Sequence, residues 1–287
     1  MMHRDPVWLE SQYNNRARIA DHAQIFEHWA CASSLARAQS ACDLDIAYGD
    51  GSAQTLDVFP SARANAPVLV FIHGGYWRSL DKRDQSFIVP AFTAAGAMVV
   101  VPNYALCPSV SIETIASQMV QALVWTYRHA AQYGGNPDYI VVAGHSAGGQ
   151  LAAMLLSCRW REVSPNLPPQ LVRAALSISG VFDMEPLRHT PFLQVDLRLT
   201  PASARRLSPM RFPAPRGRLF AVVGADESEE FRRQNALIQR AWGTRAVPMC
   251  EAVPGANHLT ILGELASPRA RLHGLALRLL GLASAAA

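Results

Sequence analysis

Apolar and polar residues alternate in blocks along most of the chain. Five short runs are almost entirely apolar, and they cover residues 68–72, 97–101, 139–143, 174–178 and 219–223, with Ser177 as their one polar residue. Between the second and third runs, Ile112, Ile115 and Met119 recur at the spacing of one helix face. Strands that are apolar on both faces and are followed by helices are typical of a parallel sheet covered on both sides. The pattern therefore predicts an α/β fold with a mostly parallel central sheet.

The N-terminal part of the chain has a helical pattern instead. Residues 21–41 have a period that would bury Ile25, Trp29 and Leu35 on one helix face. The stretch before this helix is rich in Asn and Arg. Together the two stretches predict an N-terminal arm and helix over residues 1–43.

Two alternating stretches follow the predicted helix, at residues 44–48 and 55–59. The intervening sequence Gly49-Asp50-Gly51-Ser52 offers residues that tolerate the positive φ of a hairpin turn. These features predict an antiparallel pair of strands at one edge of the sheet.

Composition supports one large folded unit. The chain has 287 residues, of which 50% are hydrophobic and 17% charged, and this balance excludes a disordered or fibrous protein. We expect a single domain over residues 1–287. A Pro- and Arg-rich stretch over about residues 184–217 interrupts the alternation of strands and helices, and it predicts a short cap or lid over one end of the sheet.

Charge and cysteine content limit the kinds of partner, cross-link and metal site that we expect. The net charge is +4, but basic and acidic residues are interspersed, so no nucleic-acid partner is expected. The five cysteines are far apart and form no C-x-x-C pair, which argues against disulfides or a zinc cluster. No signal peptide or apolar run long enough to span a membrane is found. We expect a cytoplasmic protein, a homodimer on base rates, with a small molecule as its partner.

The most informative motif is Gly144-His145-Ser146-Ala147-Gly148, which matches G-x-S-x-G. It lies between the apolar run at 139–143 and a predicted helix at 150–157. A serine on a sharp turn from strand to helix is strained, and small residues on each side let the backbone approach its neighbours. This context predicts that Ser146 is a nucleophile.

A serine hydroxyl needs a histidine to remove its proton and an acid to hold that histidine. In hydrolases with this motif the order along the chain is serine, acid, histidine. Asp226 follows the apolar run at 219–223, and His258 follows the last predicted strand at 247–253, so we favour these two residues. The alternatives after the serine are three carboxylates and two histidines: Asp183, Glu227, Glu229, His189 and His273.

A second glycine motif, His73-Gly74-Gly75, lies at the end of the first predicted parallel strand. Consecutive glycines let backbone N–H groups turn toward a reacting carbonyl, where they stabilise the oxyanion of the transition state. No H-E-x-x-H, P-loop or G-x-G-x-x-G motif is present, so no metal or cofactor is expected.

Together these motifs resemble α/β-hydrolases of the esterase branch and, more narrowly, the kynurenine formamidase (arylformamidase) group. The motifs that carry the resemblance extend from the arm to the last histidine: Tyr13–Arg16, His73–Trp77, Gly144–Gly148, Ser179–Asp183, Gly224–Asp226 and Asn257–His258. One departure is Asn103-Tyr104-Ala105-Leu106, where related esterases often have Tyr-Arg-Leu.

The resemblance implies a function and further site residues. It implies the α/β-hydrolase fold, oxyanion N–H groups from Gly75, Tyr76 and Ala147, and hydrolysis of N-formylkynurenine or a similar arylformamide through an acyl-enzyme. For the aromatic substrate pocket we expect three further residues: His73, Trp77 and Tyr104. A carboxylesterase for short acyl esters is the alternative, and a non-catalytic binding protein on a hydrolase fold is a third reading.

Overall fold

The computed structural model describes residues 5–282. Within them, eight strands form one sheet: β1 (Asp43–Ala47), β2 (Thr55–Phe59), β3 (Ala66–Ile72), β4 (Met98–Pro102), β5 (Gly135–His145), β6 (Val172–Ile178), β7 (Arg218–Gly224) and β8 (Met249–Val253). Their spatial order is β1-β2-β4-β3-β5-β6-β7-β8. Strand β2 is antiparallel to β1 and β4, and all other neighbours are parallel. The predicted mostly parallel sheet with an antiparallel edge pair is confirmed.

Helices cover both faces of this sheet. In the described residues they are α1 (Pro6–Tyr13), α2 (Asn15–Arg18), α3 (His22–Gln39), α4 (Val89–Ala94), α5 (Ile112–His129), α6 (Ala147–Leu156), α7 (Trp160–Val163), α8 (Pro191–Leu197), α9 (Pro201–Arg206), α10 (Glu229–Ala246), α11 (Ile261–Ala266) and α12 (Arg271–Leu280). The core has two parts, one beneath α5, α6 and α10 and the other beneath α3, α4, α11 and α12.

Strand β3 contributes side chains to both parts of the core. Val68 and Val70 pack into the first core, whereas Leu69 and Phe71 pack into the second. Because successive side chains of a strand point to opposite faces, a strand buried on both faces has to be apolar throughout. This is the physical origin of the continuous apolar runs in the sequence.

Two local expectations are wrong in detail. Trp29 of α3 is buried as expected, but Leu35 is 56% exposed. Leu35 lies about 240° around the helix from Trp29 at 3.6 residues per turn, so it faces away from the core. In the β1–β2 turn, neither glycine adopts positive φ. Gln54 closes that turn instead, because its side-chain oxygen accepts a hydrogen bond from Gly51 N at 3.0 Å.

The predicted lid-like insertion contains α8 and α9, each of which begins with a proline. Two short 3-10 turns, Pro186–His189 and Pro209–Arg211, flank this pair of helices. The insertion is fixed to the body of the protein at Leu207, whose carbonyl accepts a hydrogen bond from Gln150 Nε2 at 2.9 Å. No helix in residues 5–282 combines the length and the hydropathy needed to cross a membrane.

Candidate active site

Ser146 lies on a strained turn between β5 and α6. Its φ of 56° and ψ of −114° are outside the regions that serine ordinarily adopts. The flanking glycines explain why the turn can form: a Cβ on Gly144 would lie 2.1 Å from the carbonyl oxygen of Gly148. A Cβ on Gly148 would lie 2.0 Å from the carbonyl oxygen of Ile72. The turn holds Ser146 at the wall of a cavity at the carboxyl edge of the sheet.

The loop after β3 brings backbone N–H groups to the same place. A Cβ on Gly74 would lie 2.9 Å from the carbonyl oxygen of His145 and 3.1 Å from Ser146 Cβ, so glycine is required at this close approach. Gly75 and Tyr76 then adopt positive φ, at 99° and 51°. Within residues 5–282, no group accepts a hydrogen bond from the N–H of Gly75, Tyr76 or Ala147. These unpaired donors suit an oxyanion at the cavity wall.

The carboxylate that contacts His258 is Glu227, not the predicted Asp226. Glu227 Oε2 lies 2.6 Å from His258 Nδ1, and both side chains are buried. Glu227 Oε1 accepts hydrogen bonds from Ser179 Oγ and from Gly224 N. Both carboxylate oxygens are therefore occupied, which fixes the orientation of the imidazole ring.

The expectation for Asp226 is wrong because of the shape of the turn after β7. Glu227 N donates to Gly224 O at 3.2 Å, so the chain folds back and carries the side chain of Glu227 under the strand end. Asp226 lies on the outer side of this turn, and its side chain is exposed. Glutamate also has one more methylene than aspartate, which lets it reach the histidine from a buried position.

The remaining alternatives lie elsewhere. Asp183 is buried beside Arg233, and burial raises the pKa of this carboxyl group. Glu229 is exposed at the start of α10. His189 contacts Glu185 at 3.3 Å, and His273 Nδ1 lies 3.0 Å from Leu265 O inside the second core. None of these side chains lines the cavity that contains Ser146.

Two further contacts hold His258 in place. His145 Nε2 lies 2.7 Å from the carbonyl oxygen of His258. Burial and the nearby His258 ring lower the pKa of His145, so His145 is neutral and donates this hydrogen bond. The ring of Phe231 packs against the His258 ring with 4.3 Å between centroids. In the described chain Ser146 Oγ makes no hydrogen bond, but Ser146 and His258 line the same cavity. Such hydrogen bonds commonly tighten only when substrate binds.

The cavity has a volume of about 470 Å³ and mixes aromatic with polar walls. Its aromatic lining comes from α3, the loop after β3 and α8: Phe26, Trp29, Tyr76 and Phe192. Its polar lining outside the reacting groups includes Asn14, Asn15, Arg16, Arg78 and Asp196. The predicted N-terminal arm and the predicted insertion thus both contribute to the cavity.

The three predicted pocket residues do not line this cavity. The His73 ring stacks on the Tyr104 ring at 4.2 Å, and Tyr104 Oη donates to the carbonyl oxygen of His73 at 3.0 Å. Trp77 is fully buried, and its carbonyl oxygen accepts a hydrogen bond from Cys107 N. His73 and Trp77 belong to the loop after β3 and are buried within it, and Tyr104 packs against His73 from the loop after β4. Aromatic residue type alone does not distinguish a supporting side chain from a lining one.

Side chains tie the covering segments to the loop after β3. Tyr76 Oη donates to the carbonyl oxygen of Tyr13 at 2.6 Å, and Tyr13 Oη donates to Glu230 Oε1 at 2.6 Å. Arg78 forms an ion pair with Asp196 of α8. Tyr13 belongs to the Tyr13–Arg16 motif of the family resemblance, but no local sequence pattern predicts these long-range contacts.

Comparisons with known proteins agree with this geometry. The sequence profile of the BD-FAE family matches residues 56–190. A kynurenine formamidase from Danio rerio is 29% identical over 265 residues, which cover 88% of this chain and 87% of the relative. An esterase from Mycobacterium tuberculosis is 32% identical over 159 residues, covering 52% of this chain and 37% of the relative.

A solved structure extends the similarity to the whole fold. A crystal structure from Silicibacter sp. tm1040, provisionally assigned as a thioesterase, superposes with a TM-score of 0.81 at 29% identity. The alignment covers 92% of this chain and 97% of that one. The predicted fold and the predicted resemblance are confirmed: the chain is an α/β-hydrolase enzyme, similar to kynurenine formamidases and esterases.

Proposed function

We propose that this enzyme cleaves the N-formyl group from an aromatic amine, with N-formylkynurenine as the model substrate. The observation that carries the proposal is the cavity that joins Ser146 and the His258–Glu227 pair to an aromatic lining. An aryl leaving group suits this lining. The similarity to the Danio rerio kynurenine formamidase over most of the chain supports the same choice of substrate.

The proposed mechanism is acyl transfer through a formyl-serine. His258 Nε2 takes the proton of Ser146 Oγ as that oxygen attacks the formyl carbon, and the N–H groups of Gly75, Tyr76 and Ala147 stabilise the oxyanion. His258 then gives the proton to the departing amine nitrogen as the C–N bond breaks. Glu227 keeps Nδ1 protonated and stabilises the imidazolium.

Water completes the cycle. His258 takes a proton from the water that attacks the formyl-serine, and returns it to Ser146 Oγ as formic acid leaves. Formic acid then loses its own proton to solvent and becomes formate. Every proton transfer uses the same imidazole nitrogen, because Nδ1 remains bonded to Glu227 throughout. His145 acts as a positioning residue, since it holds the backbone of His258 and does not touch the reacting atoms.

A carboxylesterase for short acyl esters is the second candidate. The similarity to an esterase from Mycobacterium tuberculosis favours it, and every proposed catalytic residue would serve both reactions. The two activities differ in the leaving group, which is an amine in one and an alcohol in the other.

Parallel kinetics separate the two candidates. We expect kcat/KM for N-formylkynurenine to exceed kcat/KM for p-nitrophenyl acetate, with one formate released per amine formed. A kcat/KM for the ester at least 100-fold above that for the formamide would assign the enzyme as an esterase. Hydrolysis of neither compound, together with no labelling by a fluorophosphonate probe, would contradict both proposals.

A further inference from the structure

We propose that Asn15 and Arg16 select substrates that carry a carboxylate on the part of the molecule remote from the scissile acyl group. The inference rests on the proposed function, because it concerns the same cavity. Asn15 and Arg16 are consecutive residues of α2, and both line the cavity that contains Ser146. The two residues supply a hydrogen-bonding amide and a positive charge from the covering segment.

The charges lining the cavity leave one cation without a partner. Arg78 and Asp196 form an ion pair, so they offset each other. His258 is already engaged by Glu227. Within residues 5–282, Arg16 forms no ion pair. Its guanidinium carbon lies 5.4 Å from the centroid of the Phe26 ring, another wall of the cavity. Arg16 is exposed to solvent, and its positive charge can pair with a monoanionic substrate that enters the cavity.

Asn15 supplies an independent observation. Asn15 is only 7% exposed, and its Nδ2 is buried without a hydrogen-bond partner in the described chain. Asn15 also lines a smaller cavity of about 280 Å³, which His258 and Glu227 line as well. Burying an amide without a partner costs free energy, and an acceptor oxygen on a ligand removes that cost. A carboxylate offers such oxygens and can engage Arg16 at the same time.

The arrangement of the walls explains how one substrate would use all these groups. The acyl carbon lies at Ser146, beneath the loop after β3. The aromatic leaving group lies along the rings of Tyr76 and Phe192. Its carboxylate then meets α2, which closes the cavity from the N-terminal segment. The inferred substrate class is an aryl acyl amide whose ring carries a side chain ending in a carboxylate.

Two substrates that differ only in charge test the inference. N-formylkynurenine carries the carboxylate, and its primary carboxamide has the same shape without the negative charge. We expect Arg16→Gln to lower kcat/KM for the carboxylate by about 10- to 100-fold, mostly through KM, because hydrogen bonds to charged groups have this strength. For the carboxamide, kcat/KM should change by less than about threefold in the same variant. Arg16→Lys should restore part of the lost preference.

Two further variants complete the design. Arg128→Gln removes the same charge from an exposed position on α5 outside the cavity. It should leave kcat/KM unchanged for both substrates. Asn15→Asp places a negative charge beside the proposed carboxylate site, so it should weaken the charged substrate more than the neutral one. Thermal unfolding of each variant shows whether it remains folded.

The outcomes distinguish the inference from the proposed function. If the wild-type enzyme cleaves neither formamide, the proposed function is wrong. If it cleaves both and Arg16→Gln affects them equally or not at all, the proposed function stands and carboxylate selection is wrong. A loss confined to the carboxylate substrate supports the inference.

Discussion

The floor and the cover of the cavity are built by different physical means. The floor consists of Ser146 and the loop residues Gly75 and Tyr76, and it is held by close approaches between backbone atoms. The cover consists of residues 5–18 and α8, and it is held by side-chain hydrogen bonds and an ion pair. The floor therefore tolerates almost no added atom, whereas the cover depends on pairs of polar groups. We infer that the floor determines the reaction and the cover determines which substrate enters.

The largest expected effect is loss of the proposed nucleophile, Ser146, from the floor. Ser146→Ala should lower kcat by about 10⁶-fold while the protein remains folded, because no other hydroxyl takes its place. Ser157→Ala, at the other end of α6, is the matched control and should leave kcat unchanged. Steady-state kinetics on an arylformamide measures both. Retention of a tenth of the activity by Ser146→Ala would remove this residue from the mechanism.

The next effect separates two adjacent carboxylates. Glu227→Gln should lower kcat by about 10⁴-fold, since an amide in this position favours the wrong tautomer of His258. Asp226→Asn should change kcat by less than about twofold, because this side chain is exposed and does not touch the histidine. The same assay compares the two variants. A larger loss in Asp226→Asn would overturn the assignment of the acid.

Alanine substitutions at two glycines test how closely the backbone packs beneath Ser146. Gly148→Ala forces a Cβ against the backbone beneath Ser146 and should lower the free energy of unfolding by about 3 kcal/mol or prevent folding. Gly263 lies on the exposed face of α11, where an added Cβ would meet no atom within 4 Å. Gly263→Ala should therefore raise the free energy of unfolding by about 0.5 to 1 kcal/mol. Urea unfolding reports both changes. Equal stability of the two variants would contradict the close packing of the floor.

Two buried histidines beneath the floor should make stability depend on pH. Desolvation lowers the pKa of His73 and of His145 in the folded protein, so below about pH 6.5 the unfolded chain binds more protons than the folded one. The free energy of unfolding should fall as pH decreases from 7 to 5, by up to about 1.4 kcal/mol per pH unit for each histidine. His145→Gln should reduce this slope in urea titrations at several pH values. An unchanged slope would show that His145 does not contribute.

The smallest effect concerns the cover. Tyr13→Phe removes the hydrogen bond that Tyr13 Oη donates to Glu230 and the one it accepts from Gln234 Nε2. Arg233 still pairs with the Glu230 carboxylate, and Gln234 Nε2 still donates to Asp183 O. The free energy of unfolding should fall by about 1 kcal/mol. The carbonyl oxygen of Tyr13 still accepts the hydrogen bond from Tyr76, so kcat should stay within about threefold of wild type. A 100-fold loss of kcat would mean that the cover takes part in the chemistry.

The difference between floor and cover also explains which features of the molecule can be predicted from its sequence. The floor is visible because steric limits on the backbone demand particular residues, such as the glycines on each side of Ser146. The sheet can be predicted because burial on both faces requires apolar runs such as residues 139–143. The atoms that impose these requirements include distant ones, such as Ile72 O beside Gly148, but each requirement leaves a contiguous pattern in the sequence. Local sequence is therefore sufficient to predict the fold class, the serine turn and the glycine loop.

The acid and the pocket depend on long-range packing instead. Asp226 and Glu227 are adjacent, and only the fold of the turn after β7 decides which of them is buried against His258. One local signal was present, because Glu227 lies three residues after the end of β7, where a turn brings the chain back. The pocket is harder to predict, since Tyr104 and Phe192 are both aromatic and only tertiary contacts place one beneath the floor and the other in the wall.

A crystal structure of the enzyme inhibited by an aryl phosphonate tests the central claim most directly. We predict a covalent bond between phosphorus and Ser146 Oγ, with the phosphonyl oxygen accepting hydrogen bonds from the N–H groups of Gly75, Tyr76 and Ala147. His258 Nε2 should lie within about 3.2 Å of Ser146 Oγ while Nδ1 remains on Glu227. A phosphonate attached to another residue, or a His258 ring that stays beyond hydrogen-bonding distance of Ser146, would contradict the account.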